Sequence, residues 1–208
     1  MVTFVGGFMS RFTVRVLAVC LLVATGNSFA VIDAHSAVQK ATDELLTRLV
    51  EIQPLFETNP DEFYSTVDAT LGSFVDFEGF SKGVMAKYFR RATDAQKEQF
   101  VSSFRQGLIQ TYAKALIEFD NQEVLVLKPT TPQKKPDRAA ITLEIHSKDA
   151  KVYKVDYTLV LIDEDWKLRN LTINGINIGL QFRSQFAAAM QKNNNDIDEV
   201  IAHWSVDV

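Results

Sequence analysis

Acid–base or metal chemistry in this chain would have to begin from three histidines, His35, His146 and His203. None is followed at i+3 or i+4 on a helix by another His, Asp or Glu, the spacing that brings two metal ligands onto one helical face. No phosphate-binding glycine loop and no dinucleotide fingerprint occurs. His146 and Asp156 fall on the polar sides of two neighbouring alternating segments. Facing each other they would be an acid–base pair or, more simply, an exposed polar pair. The sequence therefore points to no catalytic residue, no metal and no cofactor.

Two basic spots stand out. One is Lys128, Lys134, Lys135 and Arg138 around Pro129-Thr130-Thr131-Pro132, and the other is Lys87, Arg90 and Arg91. Their plain reading is a solvated turn and a helix C-terminus; their sharper reading is docking to anionic head groups or an acidic partner. The remaining chemistry is apolar. Phe63, Phe74, Phe77, Phe80, Phe89, Phe100, Phe104, Phe119, Phe182 and Phe186 form an aromatic excess that either fills a core or lines a cavity.

The elements that carry these residues follow from their spacing. From Ser36 to about Phe119 the apolar period is helical. Val38, Leu45, Leu49 and Ile52 mark a first helix running into Pro54. Asn59-Pro60-Asp61-Glu62 starts a second with a cap, a proline and acids in the first turn. Phe77 to Tyr88 reads as a third. Thr93-Asp94-Ala95-Gln96 has the form of a capping box, and after it Phe100, Phe104, Leu108, Tyr112, Leu116 and Phe119 make a broad aromatic stripe, widened by Ile109 and Ala115. Something large must cover it.

Beyond Asp120-Asn121 the period becomes two. Val124–Leu127, then Ala139, Ile141, Leu143 and Ile145, then Tyr153, Val155, Tyr157, Leu159 and Leu161 read as strands with one apolar face. In the next strand, Trp166 and Leu168 are followed by Leu171 and Ile173, a change of parity that predicts a β-bulge near Arg169-Asn170. Asn174-Gly175 closes the sheet. A helix with Leu180, Phe182, Phe186 and Met190 follows, broken by Asn193-Asn194-Asn195, and a short one holds Ile197, Val200, Ile201 and Trp204. Helices segregated from an antiparallel meander of about four strands make an α+β domain.

Residues 1–30 contain no acid. Arg11 and Arg15 precede the apolar run Val16–Ala24, and Ser28-Phe29-Ala30 has small residues where a signal peptidase reads. The run is too short to span a bilayer. The expectation is a secretory signal cleaved after Ala30, leaving residues 31–208 as one domain without cysteine, since Cys20 lies in the signal. Met9 is an alternative start. Cleavage removes two arginines and no acid, so the formal charge moves from -4 to -6. With 47% apolar and 23% charged residues the chain is globular, and its acidity speaks against nucleic acid as a partner.

Two stretches carry a resemblance. Asp76-Phe77-Glu78 through Tyr88-Phe89-Arg90, Thr93–Phe100, Phe104-Arg105 and Tyr112, together with Trp166–Ile178 and Phe182-Arg183-Ser184-Gln185-Phe186, resemble the MlaC family, the toluene-tolerance family of periplasmic phospholipid-binding proteins. Asn174-Gly175-Ile176-Asn177 departs from the Glu-Gly and serine that relatives often show. The resemblance implies a periplasmic carrier, not an enzyme, moving glycerophospholipid between outer and inner membranes. Its implied partners are an inner-membrane ABC transporter with its substrate-binding subunit and an outer-membrane lipoprotein–porin complex, with transient membrane contact. The acyl chains would lie in an apolar pocket between a curved sheet and the aromatic helix. Phe104, Leu108 and Tyr112 would line the helix side, and Leu143, Val155, Tyr157 and Leu159 the sheet side. Ile173, Ile176, Ile178, Phe182 and Phe186 would close one flank. The head group would stay near solvent, with no residue assigned to it.

Overall fold

A computed structural model describes residues 33–117, 123–147 and 150–206, the side chains of 114–117 excepted. The segment 1–30, Phe119 and Asp120-Asn121 lie outside the described residues, as do the side chains of Ala115 and Leu116. The chain begins with α1 (Ala34–Ile52), the short α2 (Leu55–Thr58) and α3 (Pro60–Phe74). Asp33 and Asn59 cap α1 and α3 through their side-chain oxygens, and Pro60 occupies the first turn of α3. Pro54 opens α2, a turn that the sequence reading did not separate.

Next come α4 (Phe77–Met85) and a single 3-10 turn (Ala86–Tyr88). The expected helix from Phe77 to Tyr88 is thus interrupted, because Ala86 takes a φ of 50°. That break turns Tyr88 into the core, where it is 3% exposed. α5 (Asp94–Ile117) opens with the predicted capping box: Gln96 N–H donates to Thr93 Oγ1 at 3.2 Å, and Thr93 N–H donates to Gln96 Oε1 at 2.9 Å.

Five antiparallel strands follow in sequential order: β1 (Glu123–Val126), β2 (Arg138–His146), β3 (Val152–Ile162), β4 (Asp165–Ile173) and β5 (Ile176–Asn177). The fifth, with only two residues, is the one not foreseen. It pairs back on β4 through Asn174 (φ 48°) and Gly175 (φ 85°), a hairpin geometry that suits the strands' right-handed twist. α6 (Ile178–Lys192) and α7 (Ile197–Ala202) finish the chain, separated by Asn194 and Asn195, both at positive φ.

The predicted bulge is present. Thr158 faces Asn170 and Leu159 faces Leu168, so Arg169 has no opposite residue on β3. The kink turns its guanidinium toward α4. Arg169 Nε lies 2.6 Å from Asp76 Oδ2, and the second guanidinium nitrogen pairs with the same oxygen. Asp76 is also the cap of α4, its Oδ1 accepting from Gly79 N–H at 2.8 Å, while its own N–H donates to Leu168 O at 2.8 Å. A Cβ on Gly79 would run into both the carboxylate and the guanidinium, so glycine there is a condition of the contact. The next residue, Asn170, accepts from Gly179 N–H at 2.9 Å and donates to Asn177 Oδ1 at 3.1 Å. Two adjacent residues of one bulge thereby hold the first turns of α4 and α6 against the sheet.

Asp76→Ala removes a helix cap and leaves Arg169 without its partner. We expect a loss of about 3 kcal/mol in denaturant unfolding. A loss below about 1 kcal/mol would show that the helices do not depend on this contact.

Candidate functional site

The strand register sorts the apolar side chains into rows across one face of the sheet. Val126, Leu143, Val155 and Ile173 form the first row, Ile141, Tyr157 and Leu171 the second, and Ala139, Leu159 and Leu168 the third. Leu161 and Trp166 complete the face, and no charged residue interrupts it. The bulge is what lets Leu168 and Leu171 share this face despite their opposite parity. Helix α1 lies over part of it, with Ala34 and Val38 buried among Ile141, Leu143, Val155 and Leu159.

α5 is buried on two sides. Toward α4, α6 and α7 it offers Phe100 and Phe104, each 0% exposed, with Leu108 and Tyr112 packed at the edge of that cluster. Toward α1 and α3 it offers Ile109 and Ala113, packed with Leu49, Ile52, Phe63 and Val67. The first cluster is a lattice of rings: Phe104 stands 5.3 Å from both Phe80 and Phe182, edge to face, and 5.8 Å from Phe100. Phe100 meets Phe186 at 4.9 Å and Trp204 at 5.3 Å. Rings packed at these distances leave no room between them.

The predicted site residues therefore fall into two groups. Leu143, Val155, Tyr157, Leu159 and Ile173 come together on the sheet face. Phe104, Phe182 and Phe186 come together in the helix cluster, flanked by Leu108, Tyr112 and Ile178. Ile176 joins neither and is 60% exposed at the hairpin. Leu171, not among the predicted residues, touches both groups. Its parity with Ile173 after the bulge was the signal for it.

Filled and open parts of this interior differ. Leu143, Val155 and Leu159 are buried, whereas Tyr157, Leu171 and Ile173 keep accessible surface, as do Leu108 and Tyr112 on α5. Tyr157 is surrounded by protein on the sheet, with Phe74 6.2 Å from its ring. Burial raises the pKa of its hydroxyl, and that of Tyr112, above the ordinary phenol value. Both phenols stay neutral at physiological pH, so they add no charge to an apolar wall.

Other candidates lose their chemistry. The register sets Asp156 opposite Thr142 and His146 opposite Val152, four residues apart along the ladder. Asp156 accepts from the Thr142 hydroxyl at 2.6 Å, and His146 Nε2 lies 3.2 Å from Glu144 Oε2. The acid–base pair His146/Asp156 does not form. Glu199 stands one turn before His203 and meets it at 3.3 Å on the surface. Among the described residues no group of three His, Cys, Asp or Glu could hold a metal. Gly79-Phe80-Ser81-Lys82-Gly83 has the letters of a nucleophile elbow. It lies inside α4 with Ser81 fully buried, not on a strand-to-helix turn. Near the basic pair Arg90-Arg91, Lys82 and Lys97 place their ammonium groups 5.3 Å and 5.1 Å from the Phe89 ring.

The sequence profile described as MlaC protein matches residues 39–206. The chain belongs to the MlaC family. Its similarity to toluene tolerance protein Ttg2D of Pseudomonas putida is 42% identity over 177 residues, covering 84% of this chain and 80% of the relative. It is also 24% identical over 115 residues to the intermembrane phospholipid transport system binding protein MlaC of Haemophilus influenzae, covering 55% of this chain and 54% of that one. A phospholipid-binding protein from Ralstonia solanacearum, solved in complex with a phospholipid, shares the fold. The TM-score is 0.74 at 23% identity, over 82% of this chain and 94% of that one. Within the MlaC profile here, the Asp76–Arg169 contact joins the two stretches that carried the resemblance.

Phe104→Ala, cut from the ring lattice, should cost about 4 kcal/mol, and Tyr157→Ala less than half of that, because Tyr157 is only half-buried and Phe104 fully buried. Equal losses on denaturant unfolding would contradict the distinction between filled cluster and open face.

Proposed function

We propose that this protein is a periplasmic carrier that binds glycerophospholipid by its acyl chains and passes it between membranes without making or breaking a bond. One observation carries the reading: a sheet face without a charged side chain, whose residues Tyr157, Leu171 and Ile173 are only half-buried. Membership of the MlaC family and the phospholipid named for a relative of the same fold support it.

A lipid in water exposes its tails. At about 0.8 kcal/mol per methylene, two chains of about 30 methylenes together hide something like 24 kcal/mol of apolar surface. A wall of similar apolarity keeps that surface covered in transit and makes exchange with a bilayer nearly balanced. Tyr157, Leu171, Ile173, Leu143 and Val155 serve as the sheet wall, with Leu108 and Tyr112 opposite. Phe104, Phe182, Phe186 and Leu159, already covered on all sides, back the wall, and Ile178 and the exposed Ile176 stand at its flank.

The cleaved signal puts residues 31–208 in the periplasm. There the carrier meets an inner-membrane ABC transporter with its substrate-binding subunit, and an outer-membrane lipoprotein–porin complex. It touches membranes transiently and needs no cofactor or metal, and its work supports the lipid asymmetry of the outer membrane. No helix among the described residues is long and apolar enough to cross a membrane.

The test is native mass spectrometry of residues 31–208 purified from a bacterial periplasm, with lipid analysis of the extract. The expected result is a stoichiometric mass increment that extracts as phospholipid, and its loss in Leu143→Arg or Val155→Trp. A bare protein mass, unchanged after incubation with phospholipid vesicles, overturns the reading.

A further inference from the structure

The loop between β1 and β2 borders a cleft of about 490 Å³ whose opposite side is the start of α1. Three cationic residues line it, Lys134, Lys135 and Arg138, with His35 across from them. The floor is different in kind. It includes Ile141, 2% exposed, which sits beside Tyr157 in the second apolar row of the sheet. The cleft is thus cationic at its mouth and apolar at its base, and Ile141 at its base is the cross-strand neighbour of Tyr157 in the wall proposed to cover the acyl chains.

The loop is built rather than loose. Gln133 Nε2 donates to Lys135 O at 2.6 Å and to Pro136 O at 3.1 Å, which closes the turn that carries both lysines. Leu161 N–H donates to Asp137 O at 3.0 Å and ties the loop's end to β3. The far side is fixed too, since His35 Nε2 donates to Val126 O at 3.2 Å. β1 stops at Val126 opposite Leu143, and Lys135 bridges Arg138, so the edge of β2 from Ala139 to Ile141 has no strand beside it among the described residues. Ala140 is exposed on that edge and lines the cleft. Thr142 O points to the β1 side, where it accepts from Leu127 N–H at 2.8 Å, and the strand's alternation points the Ala140 peptide the same way.

The charges are available. Arg138 has a 3.4 Å contact with Asp137, its sequence neighbour, with both side chains about half exposed. Such a pair is weak and easily exchanged for a better anion. The carboxylate in the cleft, Asp33, is already engaged: Ser36 Oγ donates to it at 2.7 Å and Ser36 N–H at 3.1 Å. In a chain of formal charge -4 this leaves a locally positive, backbone-lined cleft on an acidic body. The chemistry that fits is a phosphate ester without a neighbouring amine, joined to an apolar remainder.

We propose that this cleft is a head-group site that holds the phosphate of an anionic glycerophospholipid on Lys134, Lys135 and Arg138 and selects it over a zwitterionic one. This rests on the carrier reading above. An ethanolamine head group would bring its own ammonium against these cations, whereas a glycerol head group would not.

The experiment loads lipid-free residues 31–208 from vesicles of equal parts phosphatidylglycerol and phosphatidylethanolamine and reads the bound species by native mass spectrometry. The wild type should be enriched in phosphatidylglycerol by about tenfold, the scale expected of two to three partly exposed charges. Lys134→Gln/Lys135→Gln should lose the enrichment, and Lys134→Glu/Lys135→Glu should turn it toward ethanolamine. Equal loading by the wild type, or enrichment that survives both variants, overturns the proposal while leaving the carrier reading intact. A wild type that takes up neither lipid overturns both. A second arm titrates inorganic phosphate while following the amides of 133–138 by NMR. Shifts in lipid-free protein that vanish once phosphatidylglycerol is bound agree with one shared site. Equal affinity in loaded and lipid-free protein would assign the cleft to free phosphate and overturn the lipid head group as its ligand.

Discussion

Arg169 has no partner in the β3–β4 ladder, and the rest of the structure depends on where it goes instead. A strand with one residue too many must bend, and here the bend carries a guanidinium to the cap of α4 and an amide to the first turn of α6. Asp76 answers three demands at once, as cap, as counter-ion and as backbone donor to Leu168. A carboxylate 8% exposed cannot be left without such partners. The first turns of α4 and α6 are therefore tied to the sheet by polar contacts, whereas α1 packs on it through apolar ones.

The buried apolar residues divide into separate clusters. Three buried clusters are each closed: the ring lattice of α4, α5, α6 and α7, the α1–α3–α5 cluster, and the sheet with α1. Stability comes from these. Tyr157, Leu171 and Ile173 pack against the sheet cluster but are only half-buried, and these are the residues proposed to meet a ligand. Leu171 touches two clusters because it is the first residue after the bulge to return to the inner face.

Much of this was legible in the residues themselves, because its causes are local. Capping boxes, the Asn59-Pro60 start, the Asn193–Asn195 break and the change of parity around Arg169 are written in adjacent positions. What failed was what depends on distant ones. His146 and Asp156 share the polar face, but the register that slides them apart is set by the turn between β2 and β3. The stripe on α5 looked one-sided, yet Ile109 and Ala113 turned out to face a separate cluster, since nothing in a single helix says how many neighbours it has. The positive φ at Ala86 left no trace in its type. Half of the residues expected at the pocket are buried and half are not, a distinction that composition does not carry.

The central claim is that acyl chains lie on the sheet face at Tyr157 and not among the rings of the helix cluster. Phospholipid with dibrominated acyl chains quenches tryptophan only at contact range. Two single-tryptophan proteins decide the matter: Tyr157→Trp in a Trp166→Phe/Trp204→Phe background, and Trp166→Phe, which leaves Trp204 behind Phe100 and Phe186. Strong quenching at position 157 with Trp204 unaffected is the predicted result. Quenching of Trp204 alone, or of neither in protein shown to hold the lipid, would contradict the account.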